Sequence, residues 1–155
     1  MGRFFSLVQI KNNGSREQFL KAFCDVMKKR SLVPCSEKES SVSYILAFSE
    51  SGKWVTLASK EYRDNPKQVK DDAKQTAAEM KTSSFSMDVV DSDWTYIELH
   101  TGADVHDTVM VGRSEFDEEH SPKGRRECWE PILAPGKTWE QISEIWNKNE
   151  VFVED

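Results

Sequence analysis

Between residues 4 and 29 the hydrophobic period changes from 2 to 3.6 across one turn cluster. Residues 4–10 alternate as a strand does, Asn12, Asn13 and Gly14 make a turn, and Phe19, Leu20, Phe23, Val26 and Met27 then recur at helical spacing over 16–29. Ser15 and Gln18 stand at the two positions of a capping box. Lys28, Lys29 and Arg30 close the helix with cations, where its dipole favours them, and Pro34 breaks the chain beyond. A strand followed at once by a capped amphipathic helix has two apolar faces to bury, and a helix layer packed on a sheet buries both.

The remaining elements follow the same reading. Val42, Tyr44, Leu46 and Phe48 alternate, and residues 54–58 return after a Gly52-containing loop, which predicts a hairpin. Asn65 as cap and Pro66 as first helical residue start a second helix, with an Ala-rich buried face of Val69, Ala73, Thr76, Ala77 and Met80. Residues 85–90, 94–99 and 108–111 predict a three-stranded meander, and 113–127 a loop. Thr138 and Gln141 form a second capping box, ahead of a short helix with Trp139, Ile142, Ile145 and Trp146 on one stripe; residues 151–153 could add an edge strand. The order βαββαβββα(β) predicts an α+β two-layer sandwich: one domain over 1–155, a mainly antiparallel sheet and two or three helices on one face. Its first six elements have the order of a ferredoxin-like split βαβ unit. The Trp- and Pro-rich segment 128–155 is expected to pack on that domain, stiff and largely non-helical over 128–139, with Trp129, Trp139 and Trp146 sealing one end of the core.

Composition narrows the classes. Sixteen aromatic residues among 155 argue against disorder. No apolar run approaches the ~18–20 residues of a membrane span, and residues 4–10 lack the cleavage site of an export signal. Cys24, Cys35 and Cys128 cannot all pair, and their spacing fits no zinc motif, so reduced thiols in the cytoplasm are expected. Met1-Gly2-Arg3-Phe4-Phe5-Ser6 matches an acylation consensus and Asn13-Gly14-Ser15 a glycosylation sequon, but a strand start and a helix cap account for both.

Charge is segregated along the chain. Residues 1–81 carry 15 cations and 10 acids, 82–120 one cation against ten acids, and 121–155 five against seven. The acidic middle repels phosphates and would steer a basic partner. The cations and acids between Lys60 and Lys81 interleave, as on a solvated, salt-bridged helix face, and no aromatic-basic sheet platform is evident, so neither nucleic acid nor membrane is expected as a partner.

Candidate chemistry is sparse. His100, Asp104 and His106 are the only close set of metal-ligand types, and a turn at Gly102 could bring the two histidines together, with His120, Glu118 or Glu119 nearby. The spacing matches no recognised metal signature, and no metal or other cofactor is expected. Cys128, following Arg125 and Arg126, could be an activated thiolate, although a packed free cysteine is the simpler expectation for it and for Cys24. Neither a nucleophile elbow nor a Gly-rich phosphate loop is present in the sequence.

A helix at 73–80, a strand at 85–90, the turn Asp91-Ser92-Asp93 and a strand running from Trp94 to Gly102 together resemble a pattern in uncharacterised bacterial proteins of the toxin-immunity type. The resemblance spans residues 71–102 and implies a neutralising partner without catalysis. The expectation is a non-enzymatic bacterial binding protein that takes a basic protein through the acidic meander, with Asp91, Asp93, Asp104 and Trp129 as contacts. The competing expectation is a small-molecule-binding or metal-assisted enzyme built on His100, Asp104 and His106.

Overall fold

The computed structural model describes residues 5–36, 38–59, 65–90, 94–102, 104–112 and 123–147. Its class is α+β. The elements run β1 (Phe5–Lys11), α1 (Arg16–Lys29), β2 (Tyr44–Phe48), β3 (Trp54–Ser59), α2 (Pro66–Glu79), β4 (Ser83–Val90), β5 (Trp94–Thr101), β6 (Asp104–Gly112), α3 (Arg126–Trp129), a 3-10 turn (Glu130–Ile132) and α4 (Trp139–Asn147). The six strands form one sheet in the order β2-β3-β1-β4-β5-β6. Its first four strands have the neighbour order of a split βαβ sandwich, with β3 paired antiparallel to both β1 and β2.

The chain divides into two compact units: an N-terminal one of residues 7–86 and 100–104, and a C-terminal one of residues 1–6, 87–99 and 105–155. The core of the N-terminal unit follows from its periodicities. Val8 and Ile10 of β1 and Val55 and Leu57 of β3 face Phe19 and Phe23 of α1 and Val69, Ala73 and Ala77 of α2. Tyr44, Leu46 and Phe48 of β2 flank this core, so the alternation of β2 reads correctly from the sequence. On the opposite sheet face Lys11 pairs with Trp54, whose ring meets Phe85 edge-on at 5.5 Å.

Both long helices end in the same way, and neither uses glycine. After α1, Ser31 takes φ +60° and the N–H groups of Ser31 and Leu32 donate to the carbonyls of Lys28 and Met27. After α2, Lys81 takes φ +51° and the N–H groups of Lys81 and Thr82 donate to Ala78 and Ala77. These are Schellman closures with a non-glycine residue in the left-handed position. The first reverses the chain, so α1 is already finished before Pro34.

From β6 onward three features depart from the sequence reading or lie beyond it. Strand β6 begins at Asp104, four residues before the expected start at 108, because backbone pairing extends through Asp104-Val105-His106-Asp107, where no apolar signal marks it. Residues 126–132 are helical where loop and stiff non-helical chain were expected, and Pro131 sits in the first positions of the 3-10 turn, where no helical N–H is lost. The expected strand at 151–153 lies outside the described residues. The second capping box is present, with Thr138 N–H donating to Gln141 Oε1 at 3.2 Å and Gln141 N–H to Thr138 Oγ1 at 3.4 Å.

Candidate functional site

Of the residues expected to meet a basic partner, Asp91 and Asp93 lie outside the described residues, while Asp104 is exposed at the start of β6, next to the exposed Val105 and His106. Trp129 is 4% exposed, and its indole N–H donates to Asp107 Oδ2 at 2.7 Å. Asp107 also accepts from the Arg125 backbone N–H at 2.7 Å and from Arg125 Nε at 3.2 Å. Burial raises its pKa, but the hydrogen bonds from Arg125 and Trp129 outweigh this and hold the carboxyl below its ordinary range. Around this carboxylate Trp129, Trp146 and Trp139 stack edge to face, 5.0 and 5.8 Å apart. Gly124 passes so close that a Cβ there would stand 2.7 Å from Val109 Cγ2, and its φ of +76° suits glycine. Arg126 is paired with Glu130 and Glu140. Trp129 is buried, while Trp139 and Trp146 are half-buried.

The expected metal set is not found among the described residues. Among the described residues no group of three or more His, Cys, Asp or Glu side chains could hold an ion. His100 is buried in the N-terminal unit, whereas Asp104 and His106 are exposed. His120, Glu118 and Glu119 lie outside the described residues. Burial, and then the charges of Lys74 and Lys70 on α2, push the His100 imidazole down to about 4. As pH falls the unfolded chain therefore takes up this proton first. The neutral imidazole's contribution to stability is complete above about pH 6.5 and declines down to about pH 4, where the folded form titrates as well. We expect wild-type stability in urea to fall by on the order of 2 kcal/mol more than that of His100→Gln between pH 7 and 4.5. Equal pH slopes for the two proteins would contradict this assignment.

Cys128 is buried, and burial raises its thiol pKa despite the opposing Arg125 charge, which fits a packed thiol rather than an activated nucleophile.

The sequence reading missed a polar cluster in the N-terminal unit. Asp72 is fully buried, although it belongs to a helix read as a solvated, salt-bridged face. Its Oδ2 accepts from Arg30 Nη1 and from the Tyr44 hydroxyl, each at 2.5 Å, and Oδ1 accepts from Gln68 Nε2 at 3.1 Å. Arg30 Nη1 also donates to the Tyr44 oxygen at 3.1 Å. Burial, reinforced by Asp72, keeps the Tyr44 phenol protonated far above its usual range. The signal was available in the spacing: Asp72 falls on the stripe of Val69, Ala73, Thr76 and Ala77.

Beside this cluster a cavity of about 510 Å³ opens between the C-terminal half of α1 and two stretches of chain, 32–35 and 40–44. The chain reversal at Ser31 builds it by carrying Leu32, Val33, Pro34 and Cys35 back over α1. Phe23 and Tyr44, edge to face at 5.4 Å, contribute aromatic lining. Cys24 and Cys35 both line the cavity as free thiols. Among the described residues no helix is long and apolar enough to cross a membrane. Comparison with protein-family models, with curated proteins and with solved structures finds no match for this chain.

Proposed function

We propose that the chain is a non-enzymatic binding protein whose C-terminal unit captures a basic protein. The observation that carries this reading is the way charge divides between the two compact units. The C-terminal unit holds seven Lys and Arg against sixteen Asp and Glu, and the N-terminal unit fourteen against eleven. Two of the seven cations, Arg125 and Arg126, are engaged with acids of their own unit, which leaves its negative field largely uncompensated. Val105 stands exposed near the start of β6 in this unit, an apolar side chain left for a partner to cover. The resemblance of residues 71–102 to immunity-type bacterial proteins points the same way, as does the expectation of a cytoplasmic location.

Such capture is steered by long-range charge. Exchanging Asp91 and Asp93 of the C-terminal unit, together with Asp104, the residue before its last stretch, for Lys should slow association with the partner by about tenfold or more, with a smaller change in dissociation. Raising the salt should weaken association in the same way, since the screening length falls to about 8 Å at physiological ionic strength. The partner recovered from native lysate supplies the measurement, by binding kinetics at several salt concentrations. An on-rate indifferent to both salt and the three reversals would exclude this surface.

A further inference from the structure

We infer that the cavity beside α1 is a binding site for a small amphipathic anion, an apolar chain bearing one carboxylate. This goes beyond the capture of a basic protein, and it concerns the other unit. The size suits it, because ligand sites of small molecules run from roughly 300 to 1,000 Å³, and this cavity measures about 510 Å³.

The wall chemistry selects the ligand class. Met27, Leu32, Pro34 and Val42 supply apolar lining, and Val33 is 77% exposed, an apolar side chain left for a ligand to cover. Tyr44 contributes its ring but not its hydroxyl, which is already committed to Asp72 and Arg30. Hydroxyl groups come instead from Ser41 and Ser43, in the same stretch of chain as Val42. Among the described residues the lining includes one lysine, Lys28, and no carboxylate. Lys28 contacts Asp25 at only 3.4 Å, while Asp25 is held at 2.6 Å by Lys21, so Lys28 can turn its ammonium towards an anion at little cost. The charge of Asp72, next to the cavity, is neutralised by Arg30 and does not oppose that anion. An apolar pocket with hydroxyl donors and a single lysine complements an apolar chain with one negative head, and disfavours a cationic head.

The test uses the full chain and dansyl-labelled undecanoic acid as the probe. Saturable binding is expected, displaced by dodecanoate and at least about tenfold less well by dodecylamine or dodecanol. Lys28→Met keeps the apolar stem and alters an exposed side chain, so the fold is retained. It should weaken dodecanoate by about tenfold and leave dodecanol unchanged. Dodecanoate should also slow alkylation of Cys35 by a maleimide and have no such effect on a Val33→Asp protein, which places the ligand in this cavity. The inference is overturned by any of three results: no saturable binding up to about millimolar probe, dodecylamine competing as well as dodecanoate, or Lys28→Met binding dodecanoate like wild type.

Discussion

Replacing Arg30 with Met should destabilise the protein by about 3–5 kcal/mol, because it leaves a fully buried carboxylate without its cation. Asp72 has no exposed surface, and Arg30 keeps only 23% of its side chain in solvent, so water cannot readily substitute for the guanidinium. Tyr44 and Gln68 would still donate to Asp72, which sets the effect near the lower end of that range. For a chain of this size the melting temperature should drop by roughly 6–12 °C. The double variant Arg30→Met with Asp72→Leu should regain most of the loss, since an apolar pair can replace a buried ion pair at little cost. Urea unfolding of the three proteins checks this. A single variant within about 1 kcal/mol of wild type would mean that Asp72 is not charged, or not dry, in the folded state.

Trp129→Ala should be comparably severe, at about 3–5 kcal/mol, by opening a cavity between β6 and α4 and removing the anchor of the tryptophan stack. Trp129→Phe separates two contributions. It keeps a ring in the stack but deletes the donor to Asp107, so it should cost about 1.5 kcal/mol, the worth of one hydrogen bond to a charged group. The two remaining donors from Arg125 keep Asp107 from being orphaned. Thermal unfolding of the two variants gives the comparison. Equal losses for Phe and Ala would assign the whole effect to the hydrogen bond and none to packing.

How far the sequence could be read depended on whether a feature was local. The capping boxes at Ser15 and Thr138, the alternation in β2 and β3 and the Asn65-Pro66 helix start all involve residues a few positions apart, and the structure has them where expected. The order of the first six elements along the chain was legible, but the neighbour order of the strands was not, because element order alone does not fix which strands pair. The pairing of Arg30, Tyr44 and Asp72 was not legible, since it joins three separate elements and no period marks it. Asp72 was misplaced because charge outweighed position in the reading of α2. The extension of β6 back to Asp104 was missed because its first residues pair through backbone alone. The cavity had no sequence signature, since it comes from a chain reversal at Ser31, where a glycine would have announced the turn and a serine does not.

The position of β1 also sets the order of events as the chain folds. This strand, the first in sequence, lies between β3 and β4, and Val8 meets Leu57. The hairpin of β2 and β3 can close at once across its short loop, as can the β4–β5 connection, whereas β1 must wait for partners dozens of residues away. Closing that long loop is the step with the largest entropic cost, so the β1 pairings form late. On the ribosome the β1 segment leaves the exit tunnel well before either of its partners. During that interval its apolar residues Val8 and Ile10 have only α1 to shelter them.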